Sequence, residues 1–109
     1  MLNHCDRLQL NCRELTARPS IPPNNGGDGE HARAKYLQAW LEKQEGVLVE
    51  RFDAPDERVT SGVRPNLVVT LPGEDRSKST WIIGHLDIVP PGDLGAWNSN
   101  PHEMIEKNG

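Results

Sequence analysis

Aromatic residues, cysteines and long apolar runs are all scarce in this sequence, and each shortage excludes something. One Phe, one Tyr and three Trp are the aromatics among 109 residues, and hydrophobic residues total 35%. A domain this small buries only a modest fraction of its surface, so a core this lean is expected to lack some of its packing partners. No run of about eighteen apolar residues occurs, and no transmembrane helix is expected. Lys and Arg number 12 against 16 Asp and Glu, the formal net charge is −4, and no basic cluster stands out. A nucleic-acid or membrane partner is therefore not expected. The opening residues, including Asn3, His4, Asp6 and Arg7, offer no signal-peptide apolar region, which makes the cytoplasm the expected location.

The two cysteines, Cys5 and Cys12, are seven residues apart. On a helix they stand about 10.5 Å apart along the axis, too far for a disulfide, which needs α-carbons within about 7 Å. Their spacing, with or without His4, matches no zinc pattern. They are expected to be small core-facing residues in a reducing compartment.

Local patterns divide the chain. Residues 2–17 read as a helix, with Cys5, Leu8, Cys12 and Leu15 forming one apolar stripe and Pro19 ending it. Residues 18–29 carry the Pro, Gly and Asn of a loop. No strand precedes them and no Gly-Lys-Ser/Thr follows, so a phosphate cradle is not the reading. Residues 30–45 read as a second helix with Ala32, Tyr36, Leu37, Trp40 and Leu41 on its apolar face, Asp28 as N-cap and Gly46 as stop. The Tyr36/Trp40 pair reads as packing. Strands are predicted at Val47–Phe52, close to a sheet edge, at Asn66–Leu71, and at Thr80–His85, with a polar loop over Asp53–Pro65. Pro90-Pro91-Gly92-Asp93 turns the chain. Glu103–Glu106 looks like the start of an alternating strand, and Asn108-Gly109 is a strong hairpin-turn signal. The simplest reading is the N-terminal piece of a longer protein.

The most informative segment is Trp81-Ile82-Ile83-Gly84-His85-Leu86-Asp87-Ile88-Val89-Pro90. An apolar run, read as a strand buried on both faces, ends in a histidine with an aspartate two residues on. In extended chain such residues share one side. A carboxylate holding the second nitrogen of an imidazole is a common arrangement around a metal-binding histidine. A bare His-x-Asp is a weak motif; position at the carboxyl end of a strand, where open α/β sheets bind ligands, gives it weight.

In order, Ser20-Ile21-Pro22-Pro23, Arg64-Pro65-Asn66-Leu67-Val68, Gly84-His85-Leu86-Asp87-Ile88-Val89-Pro90, Gly92-Asp93, Trp97 and Pro101 resemble the start of the metallopeptidase and amidohydrolase family of succinyl-diaminopimelate desuccinylase, acetylornithine deacetylase, glutamate carboxypeptidase, aminoacylase and dipeptidases. The resemblance runs along most of the chain. It implies an α/β fold, the opening helices and strands of a zinc-exopeptidase-like catalytic domain with a mixed sheet, truncated, with residues 1–109 as its N-terminal portion. It also implies two divalent metal ions, zinc or cobalt, hydrolysing an amide bond of small N-acyl amino acids or peptides, and a full-length protein that is often a homodimer. The family's first metal ligand falls on His85 and the carboxylate that orients it, counted with the catalytic residues, on Asp87. The bridging aspartate, glutamate base, further acidic ligands, late histidine and lid domain have no counterpart in these residues, so the piece alone is expected to be inactive and to hold metal weakly or not at all. Substrate-binding residues cannot be assigned.

The family often has Asp-Pro-Phe after the tryptophan, where this chain has Asn100-Pro101-His102. His102 reads as a loop-surface histidine, and His4 and His31 as solvent-exposed. The alternatives are a non-catalytic α/β interaction module of the same fold, and a small structural domain in which His-x-Asp is a core pair.

Overall fold

In the computed structural model, which describes residues 3–108, the elements are helix α1 (His4–Thr16), helix α2 (His31–Leu41), strand β1 (Leu48–Pro55) and strand β2 (Val63–Thr70), with 3-10 turns at Pro23–Asn25 and Leu94–Ala96. The fold is an α/β mix, as expected. The expected helix start at Leu2 and the Gly109 half of the Asn-Gly turn lie outside the described residues. Asn108 does take a left-handed φ of 59°, the conformation such a turn asks of it.

α1 begins with a reciprocal cap. Asp6 N–H donates to Asn3 Oδ1 at 2.9 Å, and Asn3 N–H donates to Asp6 Oδ2 at 3.1 Å. The apolar stripe read from the sequence does not become core. No residue of α1 is buried, Leu8 is 52% exposed, and Cys5 and Cys12 are exposed free thiols. The reason is the partner: α1 packs on α2, and the contact is largely polar. Tyr36 Oη donates to Asn11 Oδ1 at 2.7 Å, and the Arg18 guanidinium lies 4.5 Å over the Tyr36 ring.

α2 is shorter than the predicted 30–45. Residues 42–46 form a turn closed by Gly46 at φ 75°. Its N-cap position is Glu30, not Asp28. Gly29, at φ 75°, turns the chain between Asp28 and the helix, and the Asp28 carboxylate accepts instead from Thr60 N–H at 2.6 Å. On the predicted apolar face, Tyr36, Leu37, Trp40 and Leu41 are half-buried and Ala32 is exposed, while Ala34 is buried.

β1 and β2 pair antiparallel, from Leu48 opposite Thr70 to Pro55 opposite Val63. Both strands reach further into the predicted polar loop than proline content allowed for, leaving a connection of residues 56–62. A two-stranded ribbon leaves one edge of each strand unpaired, which is where proline is tolerated. α2 covers β2.

The third predicted strand is not a strand. Residues 80–85 join no ladder, and the sheet is two-stranded rather than a three-stranded mixed one. Trp81, Ile82 and Ile83 are 75%, 94% and 90% exposed. An apolar run encodes a wish to be covered on both faces; it does not supply the neighbouring strands that do so, and none is in place among the described residues. The dimensions agree. The radius of gyration is 16.4 Å, against about 13 Å for a compact chain of this length. The accessible surface is 8640 Å², against about 6,000 Å² for a compact monomer of this mass.

What core there is sits between the α2 start and the hairpin. Ala34, Val59, Ser20 and Glu30 are buried. Glu30 holds the Arg64 guanidinium with both carboxylate oxygens. Arg64 also reaches Asp56 Oδ2 at 3.5 Å, and Asp56 in turn takes two side-chain bonds from Arg58, at 2.8 and 2.7 Å.

Candidate metal-ligand pair and its anchors

His85 and Asp87 meet as the two-residue spacing predicted, although no strand carries them. His85 Nδ1 lies 3.1 Å from Asp87 Oδ1 and 2.9 Å from the Asp87 carbonyl oxygen. Both partners are pure acceptors, so Nδ1 carries the proton and Nε2 of the neutral ring keeps its lone pair. The His85 side chain is 81% exposed and that of Asp87 47%. The histidine therefore presents an available nitrogen to solvent, with a carboxylate behind its other nitrogen, which is the chemistry of a metal-ligating imidazole and its supporting acid. It fits one ligand position of a divalent-metal site. Among the described residues no group of three His, Cys, Asp or Glu converges as a metal site, so one ligand position is all that the arrangement supplies.

The pair is held from the side by residues to which the sequence pattern assigned no role. Ser20 is fully buried. Its Oγ donates to the Leu86 carbonyl at 2.5 Å, and its own carbonyl accepts from Ile88 N–H at 3.1 Å. Arg33 spreads its guanidinium over three carbonyls: Nε to Arg18 at 3.0 Å, Nη1 to Leu86 at 3.0 Å and Nη2 to Leu15 at 2.9 Å. Burial lowers its pKa from the ordinary arginine value. A signal for Arg33 was present. It lies three, four, seven and eight residues before Tyr36, Leu37, Trp40 and Leu41, a charge in phase with the apolar stripe. Ser20 stood in the resemblance as a bare match.

The loop that delivers Ser20 is tight. Asn25 and Gly27 N–H donate to the Pro22 carbonyl at 2.9 and 3.2 Å, and Gly29 N–H donates to Ile21 at 3.0 Å. A β-carbon on Gly27 would overlap the Ile21 carbonyl, so only glycine fits. Across the loop, the Thr60 N–H bond lowers the pKa of Asp28. The Arg58 hydrogen bonds, side chain first and backbone second, hold Asp56 well below the usual carboxylate range.

The other histidines lie apart from the pair. His4 is exposed. His31, expected in solvent, is half-buried with Nδ1 3.3 Å from an Arg51 guanidinium nitrogen. His102, expected on a loop surface, is half-buried in a shallow groove with Arg13 and Ala17 of the α1 end and residues 103–106; neither His85 nor Asp87 lines it. No helix among the described residues is long and apolar enough to cross a membrane.

Comparison with known proteins supplies the class. An uncharacterized metallohydrolase of Methanocaldococcus jannaschii is 36% identical over 94 residues, 83% of this chain and 23% of that protein. Succinyl-diaminopimelate desuccinylase 2 of Shewanella loihica is 36% identical over 90 residues, 83% of this chain and 20% of the enzyme. The succinyl-diaminopimelate desuccinylase of Erythrobacter litoralis is 36% identical over 97 residues, 87% of this chain and 24% of the enzyme. The chain thus belongs to the family of metallohydrolases that includes the succinyl-diaminopimelate desuccinylases. It spans about a quarter of the length of the curated relatives it matches. No family model matches the chain, and no solved structure matches it significantly.

Proposed function

We propose that residues 1–109 are the N-terminal portion of the catalytic domain of a metal-dependent amidohydrolase, with His85 as a metal ligand through Nε2 and Asp87 as the carboxylate that holds Nδ1–H. The substrate class is a small N-acyl amino acid or peptide, cleaved at an amide bond by desuccinylase, deacetylase or dipeptidase chemistry. Two divalent ions are the cofactors; zinc suits imidazole, and cobalt is the second candidate. The whole protein would act as a cytoplasmic homodimer, without a nucleic-acid or membrane partner. The observation that carries this reading is the pair of acceptors on His85 Nδ1, which calls for a proton on that nitrogen and points Nε2 of a neutral ring at solvent.

A bound divalent ion supplies Lewis acidity, acidifying a water and polarising the scissile carbonyl. His85 contributes a neutral nitrogen donor. Asp87 selects the tautomer that frees this donor and fixes the orientation of the ring. With one ligand position among the described residues, the remaining ligands and the base would come from the rest of the full-length protein.

Three substitutions in the full-length protein test the assignment. His85→Ala should empty or weaken one metal position and cause the largest loss of kcat/KM. Asp87→Ala should retain much of the metal and lose about 10- to 100-fold in metal affinity or activity. Asp87→Asn should lose as much or less, because the amide oxygen can still accept from Nδ1–H. Metal titration by calorimetry with steady-state kinetics is the measurement, and full activity and metal content in all three variants would sink the assignment. The exposed run Trp81–Ile83 favours one second reading, a non-catalytic α/β interaction module of the same fold. A parent protein that binds no divalent metal at all would select it.

A further inference from the structure

We infer that Ser20 and Arg33 are positioning residues for the His85–Asp87 pair, acting through the carbonyl of the residue between them. The inference rests on the metal-ligand reading above. Besides the His85–Asp87 contacts, three hydrogen bonds among the described residues tie residues 86–88 to distant parts of the chain: Ser20 Oγ to the Leu86 carbonyl, Arg33 Nη1 to the same carbonyl, and Ile88 N–H to the Ser20 carbonyl. The segment has no ladder of its own. The backbone on both sides of Asp87 is therefore set by one serine and one arginine, and the side-chain pairing of Asp87 with His85 inherits their geometry.

Both anchors are themselves fixed. Ser20 is fully buried and carried by the loop that Gly27 closes. Arg33 sits on α2 and bonds at once to the last turn of α1, to the loop after it and to Leu86. One side chain thus joins three segments distant in sequence, and the flat, five-donor guanidinium is the group able to do so. All three of its observed bonds go to neutral carbonyls, and no carboxylate pairs with Arg33 among the described residues, so its role is geometric rather than that of an ion pair. Neither residue touches the imidazole or the Asp87 carboxylate, so neither is a ligand or a catalytic residue.

The test uses the full-length protein with Ser20→Ala, Arg33→Met, the double variant, Arg33→Lys and His85→Ala. The first readout is the ring nitrogen chemical shifts of His85 in metal-free protein, by histidine-selective labelling. The parent should show the Nδ1–H tautomer. Ser20→Ala and Arg33→Met should each shift the population toward a mixture of tautomers, and the double variant should shift it furthest. Arg33→Lys, which keeps the charge and one donor nitrogen but not the fork, should fall between parent and Arg33→Met. The second readout is zinc affinity by calorimetry, which should fall by about 10-fold in the single variants, at the lower end of the range for outer-shell changes. Circular dichroism should remain that of the parent. If Arg33→Met does not fold, Ser20→Ala and Arg33→Lys carry the test. A parent-like tautomer and zinc affinity in the folded variants, with His85→Ala emptying a metal position, would overturn this inference alone. If His85→Ala leaves the metal content unchanged, the underlying reading fails instead.

Discussion

Glu30, Asp53 and Asp56 all pair with arginine, yet their surroundings give the three pairs different weights. Glu30 is 5% exposed and takes Arg64 on both oxygens. Removing it leaves a partly buried guanidinium without its main acceptor, a loss of about 1–3 kcal/mol. Asp53 meets Arg51 in a one-point contact at a half-exposed position of the hairpin, worth under about 1 kcal/mol. Glu30→Ala should therefore lower the urea midpoint clearly and Asp53→Ala barely; equal effects would show that burial is not what separates them. Asp56 adds a pH dependence. Its folded pKa lies below the value of about 3.9 it has when unfolded. Its contribution to stability is thus fully present above about pH 4 and is lost as the pH falls further toward the folded value. The melting-temperature gap between the parent and Asp56→Asn should be widest near pH 7 and shrink progressively between about pH 4 and pH 2. A gap constant over that range would place the Asp56 effect outside its ionisation.

At the scale of elements, the loop between the helices carries more structure than its composition advertises. The run from Ile21 to Gly29 positions Ser20 and, through Asp28 and Thr60, fastens the hairpin loop. Two of its glycines differ in the reason they are glycine. Gly26 has open space where a β-carbon would stand but a φ of 80°, so Gly26→Ala should cost about 1 kcal/mol of backbone strain. At Gly27 the same atom would run into the Ile21 carbonyl. Gly27→Ala must displace backbone, should cost about 3 kcal/mol, and should carry Ser20 with it. Denaturation midpoints for the two variants check the order, and metal affinity should fall only for Gly27→Ala. The helix ends were partly legible: the Pro19 stop acts on local backbone, whereas the Asn3/Asp6 cap sets the α1 start at His4 rather than at the expected residue 2. The Asp28 cap was not, because Thr60 competed for the same carboxylate from elsewhere in the chain.

For the whole molecule, the decisive quantity is apolar surface left in water. Trp81, Ile82, Ile83 and Val89 are each at least 75% exposed, and Leu71 is 73%. The isolated 109-residue chain should bind hydrophobic dyes, self-associate as its concentration rises, and emit tryptophan fluorescence close to that of free tryptophan and readily quenched by acrylamide. A blue-shifted, protected emission from a monomer would contradict the exposure of Trp81. The same chain should not hydrolyse N-succinyl or N-acetyl amino acids with added zinc or cobalt, since one ligand position does not hold two metals. Turnover abolished by a chelator and restored by metal would refute that expectation.

The sequence by itself determined what depends on neighbours in the chain. It specified two helices near their observed bounds, the two strands that pair in the hairpin, and the meeting of His85 with Asp87, whose two-residue spacing brings the side chains together without a ladder. Tertiary structure decided what depends on partners. It left Cys5, Leu8 and Cys12 of the stripe in solvent because α1 meets α2 through polar groups. It left residues 80–85 unladdered because hydrophobicity demands cover without supplying it. It set Ser20 and Arg33 on the Leu86 carbonyl, because a hydrogen bond across 53 or 66 residues has no local periodicity by which to be read.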